Sequence, residues 1–208
     1  LELTKTIDKP IDRFKVLVTG KDKAGDFYRK NFASMFQYCS NRIPEITDAF
    51  YKIDDAMKAG FGWENGPFEI WDAIGVEKGI ELMKAEGYQP ASWVTDMLAS
   101  GNTSFYSIKD GATHFYSITN KKVEKIPGQD AFIILNNIRE SKKIWNNSDA
   151  IITDLGDGII NLEFTSKMNS IGAGVLQGIN KAIDIAEKDY NGLVIGNQGA
   201  NFSVEIGR

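Results

Sequence analysis

The sequence is short of the residues that build covalent staples and metal cages. One cysteine, Cys39, allows neither an internal disulfide nor a thiolate cluster, and one histidine, His114, excludes a multi-histidine metal site. A lone cysteine also favours a reducing compartment, and the expected location is cytoplasmic. No apolar run approaches the ~20 residues needed to span a bilayer. Positive charge is not in excess: 24 basic against 28 acidic residues give a net charge of −4, so neither nucleic acid nor an anionic membrane is an expected partner. The start, Leu1-Glu2-Leu3-Thr4-Lys5, lacks the charged-then-apolar order of a signal peptide and has no methionine, as a processed chain or a fragment would.

What is present is ordinary for a globular protein. Its 208 residues, 42% hydrophobic and 25% charged, suffice for one generous domain or two small ones. A helical run is expected from near Asp26, which could cap it, through Phe27, Phe32, Met35, Phe36 and Cys39. Pro44 stops or kinks it, having no amide hydrogen for the ladder. Thr47 or Asp48 marks a second helix, with Phe50, Ile53 and Met57 three and four apart and Gly60 suited to its left-handed end. Pro67 presets the helix of Phe68, Trp71 and Ile74, which Gly75 ends. Val76, Ile80 and Met83 trace a fourth helix, closed by Gly87. Trp93, Val94, Met97 and Leu98 trace a fifth, opened by Pro90 and closed by Gly101. Five short helices with aromatic stripes predict an all-α unit whose rings are core.

The pattern then changes. Phe105–Ile108 and His114–Ile118 are strand-like and joined through Asp110-Gly111, a hairpin signal. Residues 121–128 are charged and turn-rich, as in a linker or edge decoration. Ala150–Leu155 and Ile159–Phe164 form a second hairpin through Gly156-Asp157-Gly158. Val175, Ile179, Ala182, Ile183 and Ala186 mark a helix, and Leu193-Val194-Ile195 a short buried strand, which together imply a right-handed βαβ unit.

Few residues suggest chemistry outright. Gly172-Ala173-Gly174-Val175-Leu176-Gln177-Gly178 imitates a dinucleotide fingerprint, but its third glycine is one residue late, the loop starts well beyond the strand end at Phe164, and no acid follows the next strand to hold a ribose. No serine-histidine-acid or cysteine-histidine set can be assembled. His114 is expected as a hairpin histidine, Cys39 as inert core, and Asp54-Asp55 as a solvated helix face.

Two stretches resemble known families. Phe36–Ile43, then Ile53-Asp54-Asp55-Ala56-Met57-Lys58-Ala59-Gly60-Phe61-Gly62 and Asn65-Gly66-Pro67-Phe68-Glu69-Ile70-Trp71-Asp72, resemble the C-terminal helical domain of 3-hydroxyacyl-CoA dehydrogenases. There an Asn-Arg pair opens a helix, and an acidic-Ala-Met helix leads to Gly-Pro-Phe and a nearby aspartate. The resemblance implies contact between Asn41 and an acyl-CoA. Fused enzymes of this class often hold two such domains, however, the copy nearer the hydratase usually lacking catalytic contact. The Pro44 break and the following linker point to that second copy, with Asn41 as a capping residue. The family's catalytic histidine and glutamate belong to an NAD-binding domain outside these residues.

From about Asp149 onward, Gly156–Phe164, Lys167-Met168-Asn169-Ser170-Ile171, Gly192–Ile195 and Asn201-Phe202-Ser203-Val204 resemble the opening of crotonase-fold proteins. The resemblance implies that the turn of Lys167, Met168 and Ser170 helps hold the CoA nucleotide. A Gly-Ala after the phenylalanine would supply oxyanion-stabilising amides. Here Glu205-Ile206-Gly207-Arg208 follow Val204 instead, and Glu205 would put negative charge where the anion forms.

The expected class is α+β. A linker (1–25) precedes an all-α 3-hydroxyacyl-CoA dehydrogenase C-terminal-like domain (26–101). A β-hairpin connector and linker (102–148) and a partial crotonase-like α/β segment (149–208) follow. The parent enzyme implied oxidises 3-hydroxyacyl-CoA with NAD and hydrates enoyl-CoA in fatty-acid β-oxidation, while this chain alone is expected to bind no NAD and to lack turnover. A homodimer is compatible with its aromatic stripes. The rival expectations are a non-catalytic dimerisation or interaction module, a CoA-binding protein using the crotonase-like segment, and a hydratase/isomerase fragment.

Overall fold

A computed structural model describes residues 4–7, 9–199 and 202–203. The chain divides into two compact units, one of residues up to Ser107 with His114–Ile126, the other of Ile108–Thr113 with the residues from Pro127 on. Helix and sheet are both present, as an α+β class requires.

The first unit contains α1 (Pro10–Thr19), α2 (Lys23–Asn41), α3 (Tyr51–Phe61), α4 (Pro67–Ile74), α5 (Val76–Ala85) and α6 (Ser92–Ala99). Helix α1 lies where sequence suggests a linker: Pro10 sits in its first turn, and Phe14 and Val18, one turn apart, pack into the core. Asp22 rather than Asp26 caps α2, its Oδ1 accepting from Gly25 N at 2.8 Å. Gly62, at φ 66°, and not Gly60 is the left-handed residue ending α3. The predicted faces of α4, α5 and α6 hold: Phe68, Trp71, Val76, Met83, Val94 and Met97 are all fully buried or nearly so. The core is a ring assembly in which Trp71 stacks on Phe36 at 4.6 Å between centroids, and Phe50 meets Phe68 at 5.1 Å and Phe105 at 5.4 Å.

Strands β1 (Tyr106–Lys109), β2 (Ala112–Ser117) and β3 (Lys122–Lys125) form a sheet in that order. Asp110 and Gly111 both take positive φ, as the hairpin turn requires. Residues 121–128 are not simply a linker, because Lys122–Lys125 pairs antiparallel with β2, Ser117 opposite Lys122.

The second unit has α7 (Leu135–Ile138), β4 (Lys143–Asn146), β5 (Ala150–Gly156), β6 (Ile159–Phe164), α8 (Ala173–Asp189) and β7 (Gly192–Ile195). The sheet runs β4-β5-β6-β7, with β7 parallel to β6, so the strand-helix-strand unit is present and gains β4, a strand not expected from sequence. Ala150, Ile152, Ile160, Leu162 and Phe164 form one core with Val175 and Ala182 of α8. Gly178 lets α8 approach, since a Cβ there would press on Ala150. The alternate positions Thr153, Asn161 and Glu163 are buried too, and polar. Arg139, just after α7, clamps Glu163 through two bonds of 2.7 and 3.0 Å, and Asn161 donates to Gly196 O at 3.1 Å. Leu193-Val194-Ile195 is not the buried strand expected: Val194 and Ile195 are 45% and 42% exposed. Asn201 and Val204–Arg208, which carry the end of the crotonase-like pattern, lie outside the described residues.

Candidate functional site

Asn41 is the last residue of α2, with Arg42 as its C-cap, so the Asn-Arg pair closes a helix here instead of opening one. The exposed Asn41 amide donates to Gln37 O at 2.8 Å, and Arg42 pairs with Glu45 at 2.6 Å. One turn earlier, burial foremost and then the Asp54 charge push the Cys39 thiol up to about 11, which keeps it protonated near neutrality.

The acidic-Ala-Met helix and the Gly-Pro-Phe turn meet in a buried node. Asp54, expected on a solvated face, is fully buried. Its carboxylate accepts from Phe68 N at 2.9 Å, Glu69 N at 3.1 Å and Tyr106 Oη at 2.8 Å. The first two are amides of α4's opening turn, so an aspartate of α3 caps α4 from outside. Gly66 makes this possible, because a Cβ at its position would land within Asp54. Glu69 adds a reciprocal cap, accepting from Gly66 N at 2.9 Å and from Lys58 Nζ at 2.7 Å. Asp72, on the same helix, holds the entry to β1 by accepting from Phe105 N at 2.7 Å and Tyr106 N at 2.8 Å.

Burial, the leading cause for both, pushes Asp54 and Asp72 up to about 7 against the pull of these N–H donors. Burial and the neighbouring Asp54 also raise the Tyr106 phenol. Carboxylates poised near 7 mark many active sites. Here both oxygens of each are taken by backbone amides, and neither carboxylate lines the groove beside Phe14 and Phe32 or the groove beside Tyr38 and Met57. The node is an anchor joining α3, α4 and β1. Asp54 was legible as a position, since it lies one turn from Phe50 on the apolar face, yet its residue type suggested water.

In the second unit Lys167, Met168 and Ser170 share one tight turn, which Ser166 Oγ closes by donating to Ser170 O at 2.8 Å. Met168 and Asn169 adopt left-handed backbone, at φ 56° and 55°, and Met168 is 60% exposed. Three of the four sequence candidates therefore stand together on an exposed turn, while Asn41 belongs to the other unit. The glycine run fits no dinucleotide. It enters α8 only after this turn, and a Cβ on Gly174 would strike the Asp149 carboxylate, which puts negative charge beside the helix N-terminus where a pyrophosphate would sit. His114 sits in β2 opposite Lys125. Among the described residues no His/Cys/Asp/Glu group could hold a metal ion, and no helix is long and apolar enough to cross a membrane.

With this geometry in place, residues 23–110 match the family described as 3-hydroxyacyl-CoA dehydrogenase, C-terminal domain. The match covers the node whole, from Asp22's capped helix through Tyr106. A probable 3-hydroxyacyl-CoA dehydrogenase of Bacillus subtilis (strain 168) is 40% identical over 205 residues, 98% of this chain and 26% of that protein. A Rickettsia felis protein, provisionally named a fatty acid oxidation complex trifunctional enzyme, is 24% identical over 95% of this chain and 24% of its own length. Its counterpart in Rickettsia prowazekii is 25% identical over the same shares. The chain thus spans about a quarter of the length of the curated relatives it matches. No solved structure matches it.

Proposed function

We propose that this chain supplies the second, non-hydride-transferring copy of the helical domain of an NAD-dependent 3-hydroxyacyl-CoA dehydrogenase, joined to the opening of a crotonase-type hydratase/isomerase domain, in cytoplasmic fatty-acid β-oxidation. The observation that carries this reading is the 40% identity to the Bacillus protein, which runs through both units. The helix-closing place of Asn41 favours the second copy, since its amide is spent on its own helix. The described residues of the glycine run do not suit NAD, so the parent enzyme would hold that cofactor elsewhere. The acyl-CoA nucleotide would rest on the turn of Lys167, Met168 and Ser170, where the ammonium faces solvent and can meet phosphate.

Calorimetric titration with CoA tests the proposal. CoA should bind, pantetheine should bind far more weakly, and Lys167→Glu should weaken CoA by about tenfold or more. Binding of neither would leave the interaction-module reading, which draws on the exposed apolar residues Leu176 and Ile183 of α8.

A further inference from the structure

A groove of about 500 Å³ runs between the end of α2 and the start of α3. Tyr38 and Cys39 come from α2, Ile46 from the turn between, and Ile53, Ala56 and Met57 from one face of α3. That volume is of the size that takes a small ligand, and the lining is apolar along its length. Its polar groups are two cations, Arg42 and Lys52, with the Thr47 and Tyr38 hydroxyls and the Cys39 thiol. Arg42 is incompletely used. One terminal nitrogen pairs with Glu45 at 2.6 Å and the guanidinium lies over the Tyr38 ring at 5.6 Å, but its Nε is buried with no hydrogen-bond partner. A buried donor without an acceptor is costly, and a planar guanidinium offers two parallel N–H groups matched to a carboxylate. Lys52 is exposed on α3.

We propose that this groove is a binding site for an aliphatic carboxylate, the chain lying on Cys39, Ile53, Ala56 and Met57 and the head group held by Arg42 with help from Lys52. Both halves of the ligand are needed: the chain supplies area, and the head meets the part of the guanidinium that solvent reaches, the Arg42 side chain being 37% exposed although its Nε is buried. Glu45 is the competitor within the protein, and the ligand takes the face of the guanidinium that Glu45 leaves. The groove belongs to the first unit and the turn at Lys167 to the second.

Titrating the whole chain with decanoate below its micelle concentration tests it, with decanol and butyrate as probes lacking the head and the chain. Backbone amide shifts report the place and calorimetry the affinity. Decanoate should saturate one site and shift amides of residues 38–57, with decanol and butyrate each weaker by about tenfold or more. Ala56→Trp fills the groove from an exposed helix position and should abolish binding. Ile46→Glu, on a residue 65% exposed, should do so by charge with little risk to folding. Arg42→Gln should weaken decanoate by about tenfold and leave decanol unchanged. Equal binding of decanoate and decanol, saturation unaffected by Ala56→Trp, or no saturable binding would each overturn the proposal. A dimer that Ala56→Trp dissociates would also overturn it, the groove then being an interface between copies.

Discussion

Replacing Gly79 with alanine sets helix propensity against packing. Gly79 lies inside α5, where alanine is intrinsically better by about 1 kcal/mol. A Cβ there would collide with the Trp71 indole, which is fully buried and donates Nε1 to Val76 O at 3.0 Å. Overpacking of that kind costs about 1–3 kcal/mol, so Gly79→Ala should destabilise the protein. Gly60→Ala, in α3 with nothing near the added carbon, should stabilise it by about 0.5–1 kcal/mol. Urea denaturation of both variants decides, and a stabilised Gly79→Ala would mean the indole is not where it is described. A second prediction concerns protons. Asp54 and Asp72 titrate near 7 when folded and near 3.8 ordinarily, so the native state binds their protons more tightly. Their contribution to stability is complete below about pH 4 and is lost as pH rises through about 7. Unfolding free energy should therefore fall between pH 5 and 7.5, and Asp54→Asn should flatten that slope. A wild-type profile that is level or rising there would show that the amide donors outweigh burial. Sequence marks Asp54's place on the apolar face beside Phe50. Its partners, however, lie 14, 15 and 52 residues on, and no local pattern names them.

Elements follow the same division between local and distant causes. The turns that need glycine or proline, such as Gly66-Pro67 and Asp110-Gly111, are visible in sequence because the backbone demand is local. Strands β3 and β4 are not, being four residues each, with three charges in β3 and a single Ile-Trp pair in β4, and strands only through pairing with β2 and β5. Strand β7 shows the reverse error. Its Leu-Val-Ile run suggests burial on both faces, as parallel strands usually have, yet half of it faces solvent and it ends the sheet among the described residues. A strand held on one side only should open early. Amides of Leu193 to Ile195 are expected to exchange with solvent far faster than those of Phe50 to Met57, which sit over the aromatic core. Equal protection near the global unfolding limit would mean that β7 is covered on its open side.

For the whole molecule, the decisive question is where hydride transfer takes place. Oxidation of a 3-hydroxyacyl-CoA needs a base for the hydroxyl proton and a bound nicotinamide to accept hydride. His114 stands on β2 opposite Lys125, and Asp54 and Asp72, although pushed up to about 7, spend their oxygens on backbone amides. The glycine run opening α8 meets Asp149 where a pyrophosphate would need positive potential. The prediction is that this chain at high concentration, given NAD and 3-hydroxybutyryl-CoA, forms no NADH above the uncatalysed rate. Absorbance at the nicotinamide band over hours is a sufficient measurement. Sustained turnover would be fatal to the reading only if a substitution in this chain removed it, since that would separate its own activity from a contaminant's. His114→Gln, Asp54→Asn, Asp72→Asn and Asp149→Asn are the substitutions to try, because they alter the histidine, the two raised carboxylates and the acid beside the glycine run.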